Sequence, residues 1–471
     1  MASGDPVNIK HIHVYKRPGE DDILLGFITR ETDLDGLFQW NGSGWTLLQE
    51  LEGTDLIYDS VTWQGKVFWC DGKHHIWYLD ADQDGLICEI TSSPPVQYLI
   101  VFQEHLVGAG DARTRQEILD ASLVWPADSN RDRVLWCEAL DFGRWSPNNF
   151  IDAKTGNGET ISGLGVNSIT SADRGAQSQL VVFKPNATLI NDGVLGSGDQ
   201  RLNIVSEVVG CPGYHSIKNT TFGLMFCGAE GVYVVDTNAK EPSQIGFFIS
   251  PDIKATESTT PESFAIQRWF AAIFHDNTYK LSYAEDLDST TNDREFWLDL
   301  RPQVFPQDQL WYGPHTGDKI LQYAIYQGEL VGAEMGTTNM WKLDVEGVYG
   351  SMADPATPRT STMTWPRLAS DNMARGKLDA YGFKGITDSL TAVAFTESVD
   401  YERGRASTNE TLTIPARPAV FNVTRPVKRN AYDAQVTISH SADSDIEVHS
   451  VYVRGKVTRR QSEKEDGSTQ T

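Results

Sequence analysis

The chain has 471 residues, 40% apolar and 10% aromatic, enough for one large repeat domain with a smaller companion and too much for a disordered chain. Its 40 Lys and Arg against 64 Asp and Glu give a formal charge of −24, which argues against general binding to nucleic-acid backbones, where affinity comes from Lys and Arg. Five cysteines (Cys70, Cys88, Cys137, Cys211 and Cys227) form no Cys-x-x-Cys pair and read as small buried residues of a reduced protein.

The opening MASGDPVNIK contains no apolar core of a secretory signal, and no run of about 18 apolar residues occurs. Folding in a cytoplasm without a membrane segment is therefore expected. From there the chain alternates short apolar and polar stretches bounded by Gly, Asn, Asp or Pro, the strand-and-turn pattern of an all-β protein. On the first such stretch His11 and His13 stand two apart and share a strand face. They could pair on a metal, but no third ligand accompanies them, and exposed strand histidines are the simpler reading.

A unit then recurs: a short strand, a turn, and an aromatic strand closing on Asp. Gly65–Cys70 leads to Ile76–Asp80, Gly223–Cys227 to Gly231–Asp236, Asn277–Tyr283 to Phe296–Asp299, and Gly328–Gly332 to Met340–Asp344. Weaker copies end at Asn41, Asp141 and Asp192. The spacing of about 40 to 60 residues is that of one propeller blade with its loops. Residues 1–355 are thus predicted to form a six- or seven-bladed β-propeller.

Asp80-x-Asp82-x-Asp84-Gly85 continues one of these units as a candidate calcium hairpin. Asp80 sits where Asp236, Asp299 and Asp344 also end a strand, so its first role is at the turn. Calcium needs six to eight oxygens. An EF-hand loop would place Glu where Thr91 stands, and hairpins of this type place a further Asp where Cys88 stands. His74 and His75 point to opposite strand faces. Helical periodicity is best at 114–125, and SADRGAQS (171–178) lacks the Trp of an Asp-box.

The run SLVWPADSNRDRVLWCEALDFGRW (122–145) is followed by GETISGLGV (158–166), SQLVVFKPNATLI (178–190) and VVGCPGYHSIKNTTFGLMFCGAEGVYVVD (208–236). This succession resembles the β-propeller proteins of tailed-phage tails, the tail hub or packaged-DNA stabilisation proteins and the nozzle proteins of short-tailed phages. The likeness is strong over about 115 residues and follows the repeat pattern loosely to about 350. Two features depart from it: the Asn- and Gly-rich opening of many relatives is missing, and the chain is short for the larger nozzles. The resemblance implies a virion tail protein made in the bacterial cytoplasm. Copies of the chain would form a ring below the portal and its adaptor, contact other tail proteins, and continue the channel. Genomic DNA would be retained and then ejected there without sequence-specific binding.

After SMADPATPRTST (351–362) the pattern changes to five or more alternating strands, and a small β-sandwich is expected over 356–460, with a polar flexible tail at 461–471. The charge divides at the same place: residues 1–355 carry 24 basic and 50 acidic side chains, residues 356–471 carry 16 and 14. An acidic propeller suits a wall that repels phosphates, and a more basic sandwich suits docking on an acidic neighbour. No GxSxG, HExxH, P-loop or Rossmann fingerprint occurs, and no catalytic residues are assigned, so the chain is expected not to be an enzyme. No cofactor is expected beyond the candidate calcium. A glycan- or receptor-binding propeller is the alternative, with Trp40, Trp45 or Trp77 stacking on sugar rings.

Overall fold

The computed structural model describes residues 5–457 apart from 18, 52, 54–55, 81–84, 114–129, 157, 172–174, 198–199, 237–240, 255, 257–265, 302–308, 310, 317–318, 344–349, 352–359 and the short turns between later strands. The 114–125 segment, residues 172–174 of the Asp-box-like stretch, and the tail at 461–471 lie outside the described residues. The chain divides into two units. One comprises Met1–Trp311, Asp318–Asp344 and Ser351–Asp354; the other comprises Tyr312–Gly317, Val345–Gly350 and Pro355–Thr471.

The first unit is a seven-bladed β-propeller. Blade 1 is the antiparallel meander Pro6–Tyr15, Ile23–Arg30, Asp35–Trp40 and Trp45–Glu50. Blade 2 repeats the plan with Asp59–Trp63, Lys66–Cys70, Trp77–Asp80 and Leu86–Glu89. Blades 3, 4 and 5 start at Tyr98–Phe102, Gly163–Ser171 and Lys218–Thr220, and blades 6 and 7 at Ala271–His275 and Ile320–Tyr326. The Asp-terminated units are the hairpins of second and third strands. Asn41, Asp80, Asp192, Asp236 and Asp299 lie at or just past the end of a third strand, Asp141 opens the fourth strand of blade 3, and Asp344 is outside the described residues.

The second strands do not alternate apolar with polar. Both faces of every blade are buried, so they read as continuous apolar runs. In blade 2, Val67 and Trp69 pack toward blade 1 while Phe68 and Cys70 pack toward blade 3. In blade 5, Leu224 and Phe226 face blade 4, and Met225 and Cys227 face blade 6. A separate apolar cluster fills each of the interfaces between neighbouring blades, including that between blades 7 and 1. A blade alone could not cover either face, and burial of both is what holds the ring together.

No strand is exchanged at the closure. Gln322 of blade 7 instead grips the backbone of Ile12 in blade 1, its Oε1 accepting from the Ile12 N–H and its Nε2 donating to the Ile12 carbonyl, both at 2.9 Å. Trp45 Nε1 donates to the Thr338 carbonyl at 3.0 Å.

The second unit carries two antiparallel sheets. One has the order Arg417–Ala431, Gly376–Thr387, Ile446–Val457. In the other, Asp433–Ser441 pairs with both Thr360–Thr364 and Thr391–Tyr401, and Gly404–Ile414 pairs with the latter. These are the elements from which the expected sandwich would be assembled.

Candidate functional site along the propeller axis

Each blade turns its first strand toward the axis. In blade 1 a register shift between Ile9 and His11 alters the alternation. Ile9 and Ile12 therefore share the face toward blade 7. His11 and His13 fall on the other side, against the first strand of blade 2. The two imidazoles meet there on one hydroxyl. Ser60 Oγ lies 2.6 Å from His11 Nε2 and 2.8 Å from His13 Nδ1. His13 Nε2 continues to Thr62 Oγ1 at 2.7 Å. Beside them Asp59 accepts the backbone N–H groups of Ser60 and Leu99, each at 2.8 Å.

The segment Gly213–Ile217 closes the axis just before blade 5. Its 3-10 turn spans Tyr214–Ser216. Tyr214 donates its hydroxyl to the Tyr58 carbonyl at the entry to blade 2, at 2.6 Å, and meets Tyr98 of blade 3 edge-on at 5.1 Å. His215 stacks on His11 of blade 1 with ring centroids 5.5 Å apart. The Ser216 carbonyl accepts from Tyr279 of blade 6 at 3.0 Å. Gly163 of blade 4 makes room for it, since a Cβ there would lie 2.7 Å from Ile217 and 3.1 Å from Tyr214. Gly213 is similarly confined, a Cβ there falling 2.5 Å from the Gln267 carbonyl. A segment that reaches five other blades at once is a plug.

Burial governs the chemistry of this lane. It pushes the Asp59 carboxyl up to about 6, against the two N–H groups that favour its charge. It lowers His13 to about 4 and holds His11 and His215 well below the usual imidazole range. Lys218, the first residue of blade 5, is lowered by burial and partly restored by Asp59. Asp59, Ser60, His13 and Lys218 nonetheless keep some accessible surface, and Thr62 is exposed. The arrangement is a polar lane with Thr62 in solvent and His11 deep inside. Its hydrogen-bonded chain can carry one proton polarity or the other, because every member has one hydrogen to give.

The sequence-predicted residues fare differently. His11 and His13 are brought together on the hydroxyl of Ser60, and His11 is only 2% exposed, which corrects the reading of exposed strand histidines. Asp80 is buried and ion-paired with Lys66 Nζ at 2.5 Å. Asp82 and Asp84 lie outside the described residues, and no group of three metal-ligating side chains occurs among the described ones. His74 bonds Asp71 and His75 bonds the Ser93 carbonyl, at 2.6 and 2.5 Å. Trp40 is buried against Trp45 at 5.2 Å, and Trp77 packs on the cluster between blades 1 and 2. The cysteines are free, with all but Cys88 buried. Ser60, His215 and Lys218 were not anticipated. Ser60 and Lys218 stand in short first strands of mixed polarity and His215 in a turn, so no local pattern marks them.

No family model matches the chain, and no curated protein does. Solved structures similar to it include an exo-β-1,3-galactanase from Phanerochaete chrysosporium, 8% identical, covering 94% of this chain and 95% of that one with a TM-score of 0.23. A family 43 arabinoxylan arabinofuranohydrolase from Bacillus subtilis is 11% identical over 85% of this chain and 95% of its own, TM-score 0.24. The WD40 domain of SCAP from fission yeast is 8% identical over 83% and 96%, TM-score 0.31. Two of these three are enzymes, and the expectation that the chain is not an enzyme is withdrawn on that finding. One fold carries catalytic and non-catalytic proteins alike. At such identities no residue role passes from them to this chain.

Proposed function

We propose that this chain is a propeller component of a bacteriophage tail, several copies of which form a ring below the portal and adaptor, continue the DNA channel and take part in genome retention and ejection. The observation that carries the reading is where the resembling motifs fall. ISGLGV begins blade 4, LVVFK is the end of its second strand, and GCPGYHSIK is the axial plug with the start of blade 5. These are interlocked parts of one device. Ser162 donates to the Cys211 carbonyl at 2.5 Å, Lys184 is buried on the Glu159 carbonyl at 2.6 Å, and Gly163 accommodates Tyr214. The likeness therefore rests on a set of residues that work together. In this reading the channel is formed between copies and not along the axis of a single propeller. The acidic balance of residues 1–355 suits such a wall, because it repels phosphates and lets DNA pass without adhering.

Gold-antibody labelling of phage particles from the producing strain, viewed by electron microscopy with partly disassembled tails alongside, tests this. Label confined to the tail at one capsid vertex is the expected result. Absence of the protein from purified virions by immunoblot overturns the reading and directs attention to glycan binding and hydrolysis.

A further inference from the structure

In a four-stranded meander the turn joining the first and second strands lies at the same end as the turn joining the third and fourth. These turns together make one face of the propeller. Three successive blades put a large apolar side chain into solvent there. Leu86 opens the fourth strand of blade 2 and is 48% exposed. Leu140 and Val194, in the third-to-fourth turns of blades 3 and 4, are each 59% exposed. Hydrogen bonds tie these turns side by side. The Leu140 carbonyl accepts from Gln64 in the first-to-second turn of blade 2, and its N–H donates to the Glu104 carbonyl in that of blade 3. Beside Val194, the Leu195 N–H donates to Gln103 Oε1 of the same blade 3 turn at 2.9 Å. Apolar residues exposed singly need no explanation, but a row of three on adjacent turns marks an interaction surface. Leu140 is in addition held at φ 61°, and a residue kept in backbone strain points to use of its side chain.

We propose that copies of the chain meet head to tail on this face, the three apolar side chains of one copy receiving residues 356–471 of the next; the inference rests on the ring of copies proposed above. Charge selects the occupant. Glu104, Asp141 and Asp192 stand exposed among the apolar tips, against Arg144 and Arg201. The sequence between the third and fourth strands of blade 2 adds Asp82 and Asp84. Residues 1–355 carry 24 basic and 50 acidic side chains, so a propeller set against a propeller would oppose two strongly negative bodies. Residues 356–471, with 16 basic and 14 acidic, are the part of the chain free of that repulsion, and their run RPVKRN (425–430) contains no carboxylate. A contact between two different surfaces is heterologous, the kind that repeats around a ring.

Full-length chain labelled with heavy nitrogen is mixed with unlabelled chain at low concentration and then concentrated. A carbodiimide joins neighbouring carboxylates and amines, the digest is read by mass spectrometry, and sedimentation velocity follows association over the same concentrations. Association beyond the dimer is expected, weakened by high salt, with mixed-isotope links from Glu104, Asp141 or Asp192 to lysines between 356 and 471. Leu140→Gly and Val194→Ser are each expected to weaken association about tenfold, the scale of losing one interface anchor, while Leu140→Gly leaves the folded single chain no less stable. Links found only within chains of one isotope would mean that the chain's own residues 356–471 cover this face, and mixed links to propeller lysines would mean that propellers meet each other; either overturns the proposal. A wild type that stays monomeric overturns it too, as do variants that associate like the wild type. That last result leaves the ring reading standing with its interface elsewhere, and presence in the virion is decided separately by the labelling above.

Discussion

His11 and His13, two residues apart in one strand, hold the same hydroxyl of Ser60, at 2.6 and 2.8 Å. The link spans two blades, so it fastens blade 1 to blade 2 at the axis as well as ordering the imidazoles. Ser60→Ala removes both bonds and leaves two imidazole nitrogens unanswered. A loss of about 1–3 kcal/mol is expected, from the penalty for buried unsatisfied groups. Urea unfolding measures it, and an unchanged midpoint would show that the link contributes nothing.

The pH dependence follows from opposite shifts in one lane. His13 falls from 6.5 unfolded to about 4 folded, so its stabilising contribution is complete above 6.5 and lost as pH drops toward 4. His11 and His215 shift the same way. Asp59 is raised from 3.8 to about 6, so its contribution is complete below 3.8 and lost as pH rises through 6. Three imidazoles outweigh one carboxylate, and acidification from 6.5 to 4 loosens the axis. Comparing wild type with His13→Gln removes the common background of surface carboxylates. The gap between their unfolding free energies should shift by on the order of 2–3 kcal/mol across that interval. A gap that does not vary with pH refutes the assignment.

Closure of the plug depends on missing side chains. Gly163→Ala and Gly213→Ala each force a methyl into contact distances that real Cβ atoms do not show. Each is expected to destabilise the propeller by about 1–3 kcal/mol, the usual range for overpacking. Gly44→Ala is the control, because nothing lies within 4 Å of a Cβ there. Thermal melts of the three variants side by side decide the point.

Leu140 adopts φ 61° although 59% of it is exposed. A bulky side chain is strained in the left-handed region, and little burial offsets the strain here. Its backbone is held by neighbours on either side: its N–H donates to the Glu104 carbonyl at 2.8 Å and its carbonyl accepts from Gln64 at 3.1 Å. Leu140→Gly should therefore raise stability by about 0.5–1 kcal/mol. A lower melting temperature in the variant would contradict this.

Asp80 is already committed to Lys66. Millimolar calcium is therefore expected to leave the melting temperature unchanged, and Lys66→Met is expected to lower it by releasing a buried carboxylate from its partner. A melting temperature that climbs with calcium in the wild type would restore the hairpin as a calcium loop.

The blades were legible because a third strand ending in Asp is a local pattern: aromatic residues on a strand, then a side chain that satisfies its own turn. The hairpins around Asp80, Asp236 and Asp299 were recognisable for that reason. The axis was not. His11 owes its burial to a shift of register beside Lys10 and to a partner 49 residues away. His215 owes its place to a turn that reaches blade 1 from the entry of blade 5. Alternation assigns a side to a side chain, and it does not distinguish a side facing solvent from one facing the middle of a ring. The enzyme question was misjudged on similar grounds: the absence of familiar short motifs says little about sites assembled from several blades.

The seam between blades 7 and 1 carries a consequence for how the protein is made. Ile12 and the Gln322 side chain that grips it are 310 residues apart. Ile9, Ile12, Leu24, Ile28 and Phe38 present an apolar face that the last blade covers, with Trp269 ahead of blade 6 at its edge. On the ribosome this face waits, bare, through the synthesis of the five blades between. The first blade to emerge is thus the last to be completed, and a nascent chain stalled before residue 320 would display a ready-made surface for chaperones, or for the wrong neighbour.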